Sequence, residues 1–289
     1  WALVLYIQSL RRKDAEVSIE QPKPGEATMF QHYRLLRTLA IEEAAVVWEA
    51  EDTKRQRRVA LKFLKSSGAD IAKKLYAVAA QGRELDHPNI LAVYDAGSEL
   101  DRAGHLTHYM ATEIVEGCTL ADAIDGRVFA IPRIIALFEK IAEAVQYAHA
   151  KGFVHGDLRP SEVLIDSKER PTLVYFGLNA GAEASSGESM AAMTYRAPEQ
   201  IADATRLDPR VDVWHIGAML YEALAGQPPF VGGTLPELKR KIAQQEVESV
   251  KKLNPEIGST LDGVVGKALR KDRAFRTGSA LELLSGLRA

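Results

Sequence analysis

The chain has 289 residues, 46% of them apolar and 26% charged, and its 37 basic and 39 acidic side chains leave a net charge of −2. That length buries a sizeable core as one large domain or two lobes. The balanced charge excludes both a global basic field for nucleic acid and an acidic disordered tail. A single cysteine, Cys118, excludes an internal disulfide and a thiolate metal cluster, which suits a reducing compartment.

Residues 1–10, WALVLYIQSL, carry no charge and stop at Arg11-Arg12-Lys13. An apolar run closed by a basic cluster resembles the cytoplasmic end of a membrane-spanning helix, although such a helix needs about 20 residues. Two readings stay open: membrane attachment through the segment before Arg11, or an amphipathic, core-docking helix. On the first, residues 1–30 are a stub and juxtamembrane linker. The rest of the chain then lies on the cytoplasmic side, anchored to the inner membrane by an N-terminal helix. Residues 14–29 are polar and contain Pro22, Pro24 and Gly25, which break any periodic element.

From Tyr33 to Val115 the pattern is rich in strands. Val46-Val47-Trp48 and Val59–Leu64 are β-branched or aromatic runs on either side of the charged turn Glu51–Arg58. Residues 71–83 read as a helix, and Ile90–Tyr94 and His108–Val115 as further strands. Past Gly117 the character changes to long helices. Ile134, Leu137, Phe138, Ile141, Val145 and Ala148 share one helix face, and Gly152 stands where a C-terminal cap would end that helix. Residues 212–225 are almost wholly apolar, as in a helix buried on all sides. Further helices are expected at 235–246, 260–271 and 278–288. His105 and His108, three apart, are the one histidine pair with metal-like spacing and read as solvated.

Seven short strings stand in one order: Val59-Ala60-Leu61-Lys62, His87-Pro88-Asn89-Ile90, His155-Gly156-Asp157-Leu158-Arg159-Pro160, Tyr175-Phe176-Gly177, Ala197-Pro198-Glu199, Asp212-Val213-Trp214 and Arg276. Their order and spacing resemble the protein kinase superfamily, closest in flavour to the bacterial Ser/Thr kinases, over residues 31–287. The resemblance implies an α+β, bilobal protein kinase-like fold. A small antiparallel β-rich N-lobe would span residues 31–116 and a larger, mainly α-helical C-lobe residues 117–289. It also implies transfer of the ATP γ-phosphate, for which the family uses a glycine-rich loop, a lysine–glutamate pair, two metal ligands and a base.

Those working parts are mostly altered. The family's glycine-rich loop maps onto residues 40–47, where no glycine occurs and Glu42 and Glu43 add charge that repels a triphosphate. Lys62 persists, but its glutamate partner position is Val78, and Gln81 offers a weak neutral hydrogen bond at most. Tyr175 replaces the usual metal-binding aspartate, and a neutral phenol is a poor Mg²⁺ ligand. The second metal position is Glu162, which either rescues the metal site together with Asp157 or forms a local ion pair with Arg159. Asp157 holds the catalytic-base position. Gly156 replaces the arginine that docks a phosphorylated activation segment, Arg159 replaces a lysine, and Ala192 replaces a substrate-holding threonine. Ser185, Ser186, Ser189 and Thr194 remain in that segment. The resemblance further places Ala60, Thr112, Glu113 and Val115 around an adenine.

The bracing positions are kept. His155 and Asp212 resemble the pair that supports the catalytic loop, and Glu199 and Arg276 the buried pair that ties the activation segment to the last helices. Phe176 and Gly177 complete the structural set. Loss of metal charge stabilisation alone would slow a typical kinase, at about 1–100 turnovers per second, by about a thousandfold or more. The sequence therefore reads first as a pseudokinase, a regulatory or scaffolding module with an unknown protein partner, no nucleic acid and no cofactor. The alternative is a divergent active Ser/Thr kinase using Lys62, Asp157 and Glu162 with ATP and Mg²⁺. A third reading is metal-independent nucleotide binding without transfer.

Overall fold

The structure, a computed structural model, describes residues 28–41, 45–64, 69–100, 106–125, 129–174, 190–202 and 208–289, without the side chains of 69–72 and 74. The segment before Arg11, the hairpin tip at Glu42 and Glu43, His105, Tyr175-Phe176-Gly177, Ser185, Ser186 and Ser189 lie outside the described residues. Among the described residues, no helix is long and apolar enough to cross a membrane. The chain divides into two compact units, Trp1–Asp86 with Leu91–Cys118, and His87–Ile90 with Thr119–Ala289. The division falls after Cys118 and gives His87–Ile90 to the second unit, where the expected boundary ran after residue 116. The reason is local: Asn89 Nδ2 donates to the Pro171 carbonyl at 2.6 Å, and Leu173 N donates to the Asn89 carbonyl at 2.8 Å.

The first unit is a six-stranded antiparallel sheet of β1 (Thr28–Phe30), β2 (Tyr33–Ile41), β3 (Ala45–Asp52), β4 (Arg57–Leu64), β5 (Val93–Leu100) and β6 (Leu106–Thr112), in the order β1-β2-β3-β4-β6-β5. Alternation along β4 buries Val59, Leu61 and Phe63 in a core shared with Tyr33, Trp48 and Tyr109. Period two turns Ala60 and Lys62 to the opposite face. The helix α1 (Ala69–Glu84) packs its Leu75, Val78 and Ala79 inward. Gly82 permits a close approach, because a Cβ there would lie 2.9 Å from Val93 Cβ. The strand expected at Ile90–Tyr94 begins only at Val93, since Ile90 is drawn into a bridge with Leu173. The strand expected to reach Val115 ends at Thr112, where the Glu113 backbone N donates to the Ala92 carbonyl at 3.0 Å.

The second unit is mainly helical. After the short strand β7 (Gly117–Thr119) come α2 (Leu120–Ile124) and α3 (Ile131–Ala150). A 3₁₀ turn, Pro160–Glu162, leads into the antiparallel pair β8 (Val163–Asp166) and β9 (Pro171–Leu173). There follow α4 (Met190–Met193), α5 (Pro198–Ala202), α6 (Arg210–Ala225), α7 (Leu235–Gln244), α8 (Val250–Leu253), α9 (Ser259–Ala268) and α10 (Ala280–Leu287). Helix α6 is buried continuously from Val211 to Tyr221, as its almost wholly apolar sequence suggests, and the burial takes in Asp212 and His215. Against it lie α3, α9 and α10, and a Cβ on Gly217 would meet Ala268 Cβ at 2.8 Å. Gly152 follows α3 with φ +84°, the left-handed cap that its position suggested. Helix α9 stops at Ala268, short of residue 271, because the Lys267 carbonyl that Lys271 N would need accepts instead from Arg270 N and from Thr277 N at 3.3 Å. The chain is thus α+β, with a small antiparallel β-rich lobe and a larger, mainly helical one.

Candidate functional site

The sequence-predicted residues fall on both units. On the first, Lys62 is half-buried on β4, directly across from Val47 of β3 and Met110 of β6. Ala60 is paired with Thr112 in the next row of the same face. Val78 is 2% exposed and belongs to the apolar inner face of α1, so the helix offers a methyl group where a pairing carboxylate was sought. Gln81 Oε1, the acceptor Lys62 would need there, is buried with no hydrogen-bond partner among the described residues. The stretch expected to hold an adenine is tied to itself. Thr112 Oγ1 donates to the Glu113 carbonyl at 3.0 Å, and Glu113 Oε1 accepts from Ala92 N at 2.8 Å. Val115 is half-buried beyond them.

On the second unit, the segment between α3 and the 3₁₀ turn carries His155, Asp157, Arg159 and Glu162, and Asp212 at the start of α6 shapes it. Its carboxylate accepts from the backbone N of His155 and of Gly156, both at 2.8 Å, and from His149 Nε2 at 2.8 Å. Burial works to raise the Asp212 carboxyl, but hydrogen bonds and charge from His149 and His215 overcome it and hold the group well below the carboxylate range. His155 Nε2 faces the Val174 carbonyl at 2.9 Å and so carries the proton, leaving Nδ1 to accept from Asp157 N at 3.4 Å. Gly156 adopts φ +77°, a region that L side chains rarely enter. Glycine therefore relieves backbone strain at the position where the docking arginine is missing.

Asp157 is 8% exposed and lies between two guanidinium groups, with Arg159 Nη2 at 3.8 Å and Arg196 Nη2 at 3.7 Å. The same Arg159 Nη2 reaches Glu162 Oε1 at 3.1 Å. One nitrogen thus touches both carboxylates that a rescued metal site would share, and Glu162 forms the local ion pair. Burial raises the Glu162 carboxyl above its ordinary range despite Arg159 beside it. Mg²⁺ needs ionised, hard oxygen ligands in near-octahedral array. A guanidinium lodged between Asp157 and Glu162 already takes up both carboxylates, and the arrangement does not fit that ion. Among the described residues, no group of three or more His, Cys, Asp or Glu side chains has a metal-holding arrangement.

The bracing pair is complete: Arg276 Nη1 and Nη2 donate to Glu199 Oε1 and Oε2 at 2.6 and 2.8 Å. Several partners escaped the sequence reading. Gln200 Nε2 donates to the Gly156 carbonyl at 2.7 Å, while its Oε1 accepts from Ala197 N and His215 Nε2. Its place directly after Ala197-Pro198-Glu199 was the available signal. Arg196, just before that string, is the second cation on Asp157, and His149 is recognisable only once α3 sets it beside Asp212. Thr194 Oγ1 is spent on the Met190 carbonyl at 3.0 Å. His108, expected to be solvated, is 3% exposed on β6 with Nδ1 2.6 Å from Ser98 Oγ. Burial of that strand face overrides the polarity of the residue.

Comparison with known proteins agrees with this architecture. A family model described as protein kinase domain matches residues 33–285. The probable serine/threonine-protein kinase SCO3848 of Streptomyces coelicolor is 32% identical over 266 residues, covering 87% of this chain and 38% of that protein. PknB of Mycobacterium tuberculosis, a serine/threonine-protein kinase, is 31% identical over 269 residues, covering 88% of this chain and 42% of its own length. The chain spans about two-fifths of the length of these curated relatives. The crystal structure of the Mycobacterium tuberculosis PknI kinase domain superposes with a TM-score of 0.69 at 22% identity, covering 91% of this chain and 97% of that one.

Proposed function

The chain belongs to the protein kinase domain family, and on that premise we propose that it acts as a pseudokinase, a regulatory or scaffolding module of bacterial Ser/Thr signalling. The observation that carries this reading is Arg159, whose Nη2 lies against both Asp157 and Glu162. A guanidinium is always charged and cannot be displaced by deprotonation, so the two carboxylates neutralise a side chain and not a metal. Val78 at the partner position of Lys62 points the same way.

A divergent active Ser/Thr kinase is the second reading. The relatives are serine/threonine-protein kinases by name, which favours it over the first, and Lys62 and Asp157 are both present. In it, Lys62 contacts phosphate, Asp157 takes the substrate hydroxyl proton and Glu162 supports the charge of the transferring group.

Calorimetric titration of the full chain with ATP, with and without Mg²⁺, followed by transfer of radiolabelled γ-phosphate to a Ser/Thr peptide, separates them. The first reading expects no Mg²⁺-dependent tightening and no label that depends on Asp157. Magnesium-dependent binding, with label lost in Asp157→Asn, overturns it in favour of the second. The segment before Arg11 is proposed as a membrane contact, and loss of vesicle co-flotation on deleting residues 1–10 is its test.

A further inference from the structure

A lysine ordinarily lays its apolar stem along the surface and keeps its ammonium in water. Lys271, between α9 and α10, does the reverse. The residue is half-buried, yet its Nζ is fully buried and has no hydrogen-bond partner among the described residues. That nitrogen sits 3.6 Å from the Phe230 ring centroid and 4.9 Å from that of Trp214, and the two rings are stacked with centroids 6.0 Å apart. Arg276 lies 5.1 Å over the same Trp214 ring. Two basic side chains thus share one indole, but only Arg276 has acceptors: Glu199 and the carbonyls of Arg270, Arg210 and Lys271 itself.

The packing selects one form of Lys271. Aromatic faces attract a cation, but they satisfy none of the three N–H donors of an ammonium, and that attraction is smaller than the cost of taking an unpaired charge out of water. Arg276 beside it stays charged at any ordinary pH. A neutral amine therefore fits the ring site and an ammonium does not. Burial accordingly lowers the Lys271 pKa to about 7, with Glu246 opposing and Arg276 adding to the shift. A way out is at hand, because Lys271 and the exposed Glu246 line one open pocket of about 920 Å³. Glu248, Arg270 and Asp272 line it too. The other charges nearby are Arg276 with Glu199 of α5, and Arg210 of α6, whose Nη1 donates to the Arg273 carbonyl at 2.9 Å.

We propose that Lys271 is a proton-operated latch: as a neutral amine it tucks its head onto Phe230 and Trp214, and as an ammonium it turns out into the pocket beside Glu246. The tucked form ties the segment that carries Arg276 to α6 and Phe230. The released form holds one more proton, so tucking is favoured as pH rises and is lost as pH falls through the midpoint. The latch thus tightens from neutral pH upward, until a lysine in water sheds its own proton near about 10.4.

The test is an NMR titration of the full chain carrying ¹³C at lysine Cε. One lysine should titrate with a midpoint between about 7 and 9, where an ordinary lysine stays protonated. Nuclear Overhauser contacts from its Cε protons to the Phe230 and Trp214 rings should be present above that midpoint and lost below it. Lys271→Met, which keeps an apolar stem on Phe230, should remove the low-midpoint signal. Should that variant fail to fold, Glu246→Gln takes away the carboxylate that favours the released ammonium and should lower the midpoint by about 0.2–0.7 pH unit. The proposal is overturned if no lysine titrates below about 9 or if the ring contacts persist below the midpoint. A low-midpoint signal that survives Lys271→Met, or that Glu246→Gln leaves in place, overturns it equally.

Discussion

Replacing Arg276 by methionine tests the bracing pair directly. The guanidinium makes five hydrogen bonds: two to Glu199, and one each to the carbonyls of Arg270, Arg210 and Lys271 at 3.0, 3.0 and 3.2 Å. It also lies 5.1 Å over the Trp214 ring. Methionine fills much of the volume but strands a carboxylate and three carbonyls. Breaking a buried pair by removing one partner costs about 3–5 kcal/mol. For a unit of this size, each kcal/mol lowers Tm by about 2–4 °C, so the melt should fall by about 6–20 °C. Lysine keeps the charge without the planar fork and should lose roughly half as much. The double variant Glu199→Gln/Arg276→Met removes the stranded charge as well and should recover part of the loss. Differential scanning calorimetry reads all three. A drop below about 2 °C for Arg276→Met, or no recovery in the double variant, refutes the reasoning.

Asp212→Asn leaves one acceptor oxygen for three N–H groups, so at least one is stranded at about 1–3 kcal/mol. Because the folded Asp212 carboxyl is held below its unfolded value, its stabilisation is present above an unfolded pKa of about 3.9 and fades as pH falls below it. A wild-type minus variant Tm gap that stays constant from neutral into acid would contradict this. Glu162 has the opposite sign: its folded carboxyl is raised, so the unfolded chain ionises first and stability declines as pH rises past 4.5. Glu162→Gln should match wild type in acid and be at least as stable at neutral pH, and a variant that is less stable only at neutral pH would show the ion pair dominates. Gly82→Ala should gain up to about 1 kcal/mol of helix propensity yet lose about 1–3 to overpacking on Val93, and the added change Val93→Ala should restore stability.

The fold was legible where periodicity and punctuation agree. The face spacing of 131–151 and the glycine after it anticipated α3 and its cap, and the almost wholly apolar run 212–225 anticipated the buried α6. Boundaries were less legible wherever a long-range partner set them. Ile90 leaves the expected strand for Leu173, and α9 ends early because Thr277 N and Arg270 N claim the Lys267 carbonyl. In the site, residues whose role is carried by a motif could be named in advance: Lys62, His155, Asp157, Asp212, Glu199 and Arg276. Arg196 and His149 could not, because each acts through geometry that exists only after the helices are placed, and Gln200 had only its place after Ala197-Pro198-Glu199 to mark it. Gly156 shows a further limit, since its positive φ is invisible in a sequence that records only a missing arginine.

The altered positions share a physical property that a list of missing residues does not convey. A polar group that ordinarily waits for a nucleotide or a metal must tolerate being unsatisfied until one arrives. Here Glu162 and Asp157 meet Arg159 within 4 Å, Glu113 holds Ala92 by both its backbone and its carboxylate, and Val78 removes a charge from the inner face of α1. Arg159 and Glu113 thus close locally, each inside its own unit, bonds that a ligand would otherwise complete. A ligand entering such a site must first break these contacts, and an unpaired buried polar group costs about 1–3 kcal/mol. Two such breaks, about 2–6 kcal/mol together, are comparable to a weak nucleotide affinity at the millimolar level, about 4 kcal/mol. Arg159→Ala is therefore the informative variant. If the guanidinium closes the site, its removal should strengthen binding of Mg²⁺ to the Asp157–Glu162 pair in a calorimetric titration, and unchanged binding would show that the guanidinium does not close it.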